Sequence, residues 1–354
     1  MPTESLPKYQ LLFEKLATDI RSGKFKPGAK LPSEAALVKK FNTSRITVGR
    51  ALRDMQAQGL IDRIAGSGSY VRNTQRTSGP LLFGLLIPDL GETEVFEAIC
   101  QGIANAGSDD HALLWGHSRA AGGSKEGQAL ELCRQFVARQ VSGVFFAPLE
   151  FEATAEKTNR RIISTLREAG IPIVLLDRRN AARSERDRPD LVGLNNRQAA
   201  YVATEHLIQL GCKRIGFLGY HGAASTIAMR TTGYEQALHD YGLPAVMQQM
   251  DQPAGKDAEF DAYVCVNDRM AGQLMHSLLI GGLRIPEDIR IVGIDDASFA
   301  ALLPVPLTTV RQPCRDIGAA ALSTMLERIE RPKSPARDVL LDGQLIVRKS
   351  SGVG

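Results

Sequence analysis

Lys30 to Arg72 read K-L-P-S-E-A-A-L-V-K-K-F-N-T-S-R-I-T-V-G-R-A-L-R-D-M-Q-A-Q-G-L-I-D-R-I-A-G-S-G-S-Y-V-R. Ser33 stands just before one apolar-periodic run (Leu37, Val38, Phe41) and Ser44 before another (Val48, Leu52, Met55). A serine hydroxyl in that place accepts from the free N–H groups of a first helical turn, so each serine predicts a helix start. Gly59 ends the second of these helices. Leu60–Ile64 and Ser69–Arg72 then read as short strands around Ala65-Gly66-Ser67-Gly68, a predicted tight hairpin. Upstream, Leu12, Leu16 and Ile20 keep helical spacing from Lys8 to Ser22, and Gly23 with Pro27-Gly28 stops that run. Three short helices and a glycine-rich hairpin in about seventy residues make a module that offers one helix end to a groove.

The charge distribution agrees. Residues 1–80 hold 14 Lys/Arg against 6 Asp/Glu, a net +8, whereas the remainder holds 29 against 33, a net −4. A cationic excess on one end is the electrostatic footprint of a protein that meets a polyanion. Ser44, Arg45 and Thr47 fall in the first turn of the third helix, where free N–H groups and the helix dipole suit a phosphate. Arg45, Arg50 and Arg53 lie off the Val48/Leu52/Met55 face and can reach phosphates or guanine edges. Gly66, Ser67 and Gly68 let a backbone enter a minor groove or follow phosphates, and Ser33 joins this candidate set from the second helix. Lys30, Lys39, Lys40 and Arg63 add sequence-independent attraction.

These residues resemble the winged helix-turn-helix of the GntR family. The matching positions are Pro27-Gly28, Leu31-Pro32-Ser33-Glu34, Ser44-Arg45-x-Thr47-Val48, Ala51-Leu52, Gly59-Leu60 and Gly66-Ser67-Gly68-Ser69-Tyr70-Val71. Two departures stand out: Ala35 and Gly49 occupy places where the family commonly has Arg. The resemblance implies double-stranded DNA as a partner and a shifted operator preference.

Beyond a polar linker at residues 74–80 the texture changes. Short apolar strands (81–88, 112–115, 143–148, 172–177, 191–194, 214–219, 262–268 and 289–295) alternate with amphipathic helices. Near-continuous apolar strands separated by helices imply parallel sheets covered on both faces. The predicted fold class is α/β: a small winged helix-turn-helix domain (1–73), then a two-lobed doubly wound periplasmic-binding-protein-like domain (81–350).

The second part resembles the effector domain of the LacI family. The marks are I-P-D (87–89), G-I-P-I-V-L-L-D-R (170–178), the run 192–219, R-x-x-G-Y-x-x-A-L (230–238), V-N-D-x-M-A (266–271), V-G-I-D-D (292–296) and L-T-T-V-R-Q-P (307–313). Such folds cross between lobes three times, here expected near 179, 311 and 339. That puts lobe 1 at about 81–179 and 312–338, and lobe 2 at about 180–311 and 339–350. The resemblance implies a small-molecule effector, a sugar or sugar derivative, in the cleft at the strand ends. By matching motif positions, Arg230 and Asp295 stand for the sugar-hydroxyl clamp, Asn267 for a second-lobe contact, Asp177 and Arg178 for a hinge-side pair, and Phe96 for an aromatic against the sugar. Paired Arg and Asp suit hydroxyl groups because both form charge-assisted bonds. His117 and Ser118 join the candidate cleft lining. Trp115 reads as strand core, and His206 as helix surface. Between Gly242 and Ala262 the chain is about twenty residues short of the family pattern, so a β–α piece of the second lobe is expected to be missing or truncated. Where the family carries Asp-Asn, this chain has Asn195-Asn196.

Other classes find little support. Five dispersed cysteines without C-x-x-C spacing (Cys100, Cys133, Cys212, Cys265, Cys314) argue against disulfides and against a metal site. No P-loop, G-x-S-x-G or G-x-G-x-x-G follows a strand, so neither an enzyme nor a cofactor is expected. A pyridoxal-phosphate aminotransferase partner needs more chain. No apolar run is long enough to span a bilayer, and Met1–Tyr9 lacks a secretory pattern, so a cytosolic protein is expected rather than a periplasmic binder. The combined expectation is a homodimeric transcriptional repressor on a palindromic operator. The rival is a regulator whose reduced cleft serves dimerisation alone.

Overall fold

The protein is described by a computed structural model covering residues 8–21, 24–25, 28–57, 60–64, 67–71, 81–88, 94–107, 111–116, 124–151, 154–179, 188–219, 225–249 and 260–352. It divides into two compact units, Met1–Gly79 and Pro80–Gly354. The expected linker at 74–80, Gly66 of the hairpin, and His117 and Ser118 lie outside the described residues.

In the first unit α1 (Lys8–Arg21), α2 (Glu34–Phe41) and α3 (Arg45–Ala57) precede the hairpin β1 (Ile61–Ile64) and β2 (Gly68–Val71). Ser33 caps α2, its Oγ accepting from the Ala36 N–H at 3.2 Å, and Asn42 ends the helix in a left-handed conformation. Leu12, Leu16, Leu37, Val48, Ala51, Leu52, Met55, Ile61 and Val71 close one small core. Every apolar position that the helical spacing marked on α3 points into it.

The second unit holds two six-stranded sheets. The first runs β13-β7-β6-β5-β3-β4, from strands β3 (Leu81–Leu86), β4 (His111–Trp115), β5 (Gly143–Phe146), β6 (Ile173–Leu176), β7 (Asp190–Leu194) and β13 (Asp338–Leu341). All its pairings are parallel. The second runs β14-β12-β11-β10-β8-β9, from β8 (Ile215–Gly219), β9 (Val246–Gln249), β10 (Ala262–Cys265), β11 (Arg290–Asp295), β12 (Thr308–Arg311) and β14 (Gln344–Ile346). There only β14 is antiparallel. Helices α4 (Glu94–Ala106), α5 (Lys125–Ala138), α6 (Ala155–Glu168) and α10 (Cys314–Glu330) serve the first lobe; α7 (Asn196–Gln209), α8 (Ser225–Asp240) and α9 (Asp268–Ile280) serve the second. Strands such as Gly143–Phe146 and Ile173–Leu176 are buried along their whole length, as a sheet covered on both faces requires.

Two of the expected crossings move. β7 belongs to the first sheet, paired with β6 (Val174↔Asp190), so the chain leaves that lobe at residue 195 rather than near 179. The buried Asp190 carboxylate explains the placement: Arg328 of α10 holds it with bonds of 2.8 and 2.9 Å, and the Arg337 N–H adds a third. The last crossing falls at 342–343, between β13 in one sheet and β14 in the other, rather than near 339. Of the β–α piece expected to be missing or truncated after Gly242, the strand is present as β9, parallel to β8 on the sheet edge (Gly216↔Val246). Residues 250–259, which follow it, lie outside the described residues.

Candidate DNA-reading surface and effector cleft

On the head, Ser44 Oγ accepts from the Thr47 N–H at 3.2 Å and lies 2.9 Å from Thr47 Oγ1, so the two side chains form one polar knot at the start of α3. Arg45 and Arg53 are exposed, and Ile46 between Arg45 and Thr47 is 81% exposed. Arg50 behaves differently: its guanidinium lies 3.9 Å from the Tyr9 ring centroid, stacked on α1. Arg63 is also engaged, bonded to Glu34 at 2.6 Å, which ties the hairpin to α2. On the hairpin, Ser67 Oγ lies 2.7 Å from the Tyr70 hydroxyl. Gly68 has φ +130°, a conformation that calls for glycine, and a Cβ there would displace only the tip of Lys30, whose Cε lies 2.9 Å away. Gly49 has nothing within 4 Å of a notional Cβ, which leaves a notch beside Ile46 on α3.

In the second unit the candidate residues stand where both parallel sheets end. β6 delivers Asp177 and Arg178. Asp177 has φ +66°, and Gly193 on β7 makes room for it, since a Cβ there would meet the Asp177 backbone at 2.9 Å. Arg178 is buried; its Nη1 donates to Glu150, its Nε lies 3.7 Å from Asp177, and its guanidinium covers the Phe96 ring at 5.2 Å. Phe96 is itself 3% exposed and part of the core. Its ring therefore faces Arg178, not an open cleft. Burial pushes the Glu150 carboxyl up, against the Arg178 charge that pulls it down.

The second lobe answers with Arg230, Asp295 and Asn267. Arg230 is 6% exposed. Its Nε donates to Asn196 Oδ1 at 2.7 Å, its Nη1 to the Val266 carbonyl, and its Nη2 lies 3.8 Å from Asp295. Asp295, at φ +141°, also accepts from Gln312 Nε2 at 2.7 Å. Desolvation first, then the neighbouring Asp268 and Asp177 charges, push its carboxyl up to about 7 in spite of Arg230. Asp268 is fully buried and raised to about 6 by desolvation, its oxygens accepting from Thr309 Oγ1 at 2.5 Å and the Ala297 N–H at 2.9 Å. Gly293 beneath it is obligatory, since a Cβ would meet Asp268 Oδ1 at 2.2 Å. Asn267 Oδ1 caps α9 by accepting from the Met270 N–H at 2.8 Å, which leaves its amide nitrogen as the group it can offer.

The lobes touch at two further places. Glu94, first residue of α4, accepts from the Ser298 N–H at 2.8 Å and from its hydroxyl, and these bonds hold its carboxyl low. Ser225, first residue of α8, accepts from the Arg179 N–H at 3.2 Å and favours the charged form of Glu150 through its own amide. At the hinge Asn195 caps α7 and donates to Asp342 at 2.9 Å, a bond that the family's aspartate does not offer.

Sequence reasoning missed Glu150, Asn196, Asp268 and Gln312 as parts of this constellation. Asn196 and Gln312 lay inside motifs already singled out. Glu150 carried no signal, because only the fold brings a loop after β5 against Arg178. Two lesser expectations change: Trp115 is 59% exposed rather than core, and His206 is half-buried against Ser351 at 3.0 Å rather than on the surface. Among the described residues no group of three or more His, Cys, Asp or Glu is placed to hold a metal ion, and no helix is long and apolar enough to cross a membrane.

Residues 8–71 match the model of the gntR family of bacterial regulatory proteins, and residues 204–351 that of a periplasmic binding protein-like domain. An uncharacterized HTH-type transcriptional regulator in the aml 5′ region of Streptomyces limosus is 30% identical over 338 residues, covering 89% of this chain and 92% of that one. The chain belongs to the HTH-type transcriptional regulators. This regulator carries a GntR-type head on a periplasmic binding protein-like domain. It is also 28% identical to the arabinose metabolism transcriptional repressor of Geobacillus stearothermophilus, over 99% of each chain. Among solved structures, the CelR–cellobiose complex shares the fold of the regulator at a TM-score of 0.63, with 22% identity over 86% of this chain and 90% of the other.

Proposed function

We propose that the regulator is a homodimeric repressor of a sugar-metabolism operon, released from or locked onto a palindromic operator by a small carbohydrate bound between its two lobes. The observation that carries this reading is the convergence of Arg230, Asp295 and Gln312 from the second lobe and hinge with Asp177 and Arg178 from the first. The lobes meet beside these residues, where the Arg179 N–H donates to Ser225 and Glu94 accepts from Ser298. A ligand there touches both lobes, and its binding energy sets the angle between them. On the head, exposed Arg45 supplies a base or phosphate contact, Ser44 and Thr47 a phosphate contact, and the Ser67-Gly68 turn a second groove contact. Two heads on a two-fold dimer read two half-sites. A coupling of about 1–3 kcal/mol between cleft and head suffices for a switch. The relatives named for arabinose metabolism and bound to cellobiose support a carbohydrate.

The test is a titration of the full-length protein with pentoses, hexoses and disaccharides, read by calorimetry. The same sugars are then added to a footprint on DNA upstream of the gene. A sugar that binds and shifts the footprint upholds the reading. Binding with no effect on any DNA fragment overturns it.

A further inference from the structure

We propose that the cleft takes only an effector that donates hydrogen bonds and carries no anionic group, and that Glu150 is the residue that excludes phosphorylated and acidic sugars. The inference rests on the effector reading above and narrows it.

The first support is the pairing of the cations. Five arginines at the strand ends and hinge already have a carboxylate: Arg178 has Glu150, Arg179 has Asp338, Arg230 has Asp295, and Arg311 and Arg348 share Asp296, whereas Arg269 and Arg315, exposed on the first turns of α9 and α10, have none among the described residues. Arg230 is further committed to Asn196 and the Val266 carbonyl. A phosphate selects a guanidinium whose fork is open to it, and the two buried forks, Arg178 and Arg230, are largely engaged from within the chain. The second support is the balance of charge. Around the two buried cations, Arg178 and Arg230, stand Asp177, Glu150, Asp268 and Asp295, and even with Asp295 and Asp268 only partly ionised near neutral pH an arriving dianion meets no excess of buried positive charge.

The third support is the direction of the missing hydrogen bonds. Glu150 Oε1 and Gln312 Oε1 are buried and have no partner among the described residues. Both are acceptors, and Gln312 is 6% exposed; the buried Arg178 Nε donor, 3.7 Å from Asp177, stands with them, and a hydroxyl, which both donates and accepts, suits all three. A buried acceptor without a donor is costly, so the group that completes the site must bring O–H or N–H. A sugar hydroxyl does so; a phosphate dianion brings only acceptors. Gln312 sits on the crossing between β12 and α10, so a donor reaching its Oε1 also touches the hinge.

The experiment compares neutral pentoses, hexoses and disaccharides with their phosphate esters and uronic acids on the full-length protein by calorimetry at fixed ionic strength. A neutral sugar should bind, and its phosphate ester should bind at least about tenfold more weakly, as like-charge juxtaposition costs several kcal/mol. The isosteric Glu150→Gln keeps a bond to Arg178 while leaving its charge to Asp177 alone, so the gap between ester and parent should shrink by about tenfold. A phosphate ester that outbinds its parent in the wild-type protein overturns the proposal and leaves the effector reading standing. An unchanged gap in Glu150→Gln removes Glu150 as the excluding residue. No binding by any member of the panel overturns the effector reading, and the proposal with it. The wild-type comparison decides the charge class even where the variant fails to fold.

Discussion

The head and the cleft use arginine in opposite ways. On the head, Arg45 and Arg53 stand in solvent at the start and along the outer face of α3, beside an isoleucine that is 81% exposed. In the cleft, Arg178 and Arg230 are buried, bonded on several sides, and matched to carboxylates of the same chain. A polyanion is held by many weak contacts that displace counterions, so open cations serve it. A small ligand is selected by a few buried groups whose own partners fix their positions, so matched cations serve it. On the proposed reading, the same side chain is a contact in one unit and part of a scaffold in the other.

That contrast predicts its largest effect at Arg230. Arg230→Met removes the cation from a buried site and leaves Asp295, Asn196 and the Val266 carbonyl without it. Removing one partner of a buried ion pair costs about 3–5 kcal/mol. Urea unfolding of the second unit should shift by that order, sugar binding should be lost, and DNA affinity of the head should be retained. A second unit as stable as the wild type would show that Arg230 is no scaffold.

Arg45→Ala comes next, with the opposite pattern. The side chain is exposed, so unfolding should not change, while operator affinity should fall by about 1–3 kcal/mol, the worth of one good base contact. Sugar binding should be intact. Loss of sugar binding with unchanged DNA binding would invert the division of labour between the units.

The two units also differed in how far the sequence reached. The head was legible almost to the residue, because local rules build it. Ser33 and Ser44 cap the helices they precede, Gly68 takes the positive φ that the hairpin needs, and the Val48/Leu52/Met55 spacing is the core face. The strands of the second unit were legible from their apolar runs. Their assignment to lobes was not, because β7 is placed by Arg328, 138 residues away, gripping Asp190. The cleft shows the same limit. Asp177, Arg230 and Asp295 stood out through motifs, but Glu150 meets Arg178 only through the parallel order of β5 and β6. Phe96 was an aromatic in the right place whose free face the sequence could not show to be covered by Arg178.

A smaller effect follows from the acids. Burial raises the folded-state carboxyl of Asp295 to about 7 and of Asp268 to about 6, above their usual 3.8. A raised carboxyl binds its proton more tightly when folded, so its stabilising share is complete below about pH 4. That share is lost as pH rises through 6 and 7. The second unit should lose stability between pH 5 and pH 8, and Asp295→Asn, which cannot ionise, should lose less. The thermal midpoint of each across that range is the measurement. Equal losses would mean that Asp295 is ionised throughout.

The smallest expected effect isolates a cation on the head that behaves like those of the cleft. Arg63, on β1, is among the cations expected to attract DNA, but its guanidinium is bonded to Glu34 at 2.6 Å. Both partners are partly exposed, so the pair adds only about 0–1 kcal/mol to the fold. Its charge is matched before DNA arrives, so it releases no counterion on binding. Arg63→Ala should leave the slope of log affinity against log salt unchanged, whereas Arg45→Ala should reduce that slope by about one. If Arg63→Ala flattens the slope as much as Arg45→Ala does, Arg63 exchanges Glu34 for a phosphate in the complex. The head would then hold one more open cation than the free protein displays, and its difference from the cleft would be one of accessibility rather than of pairing.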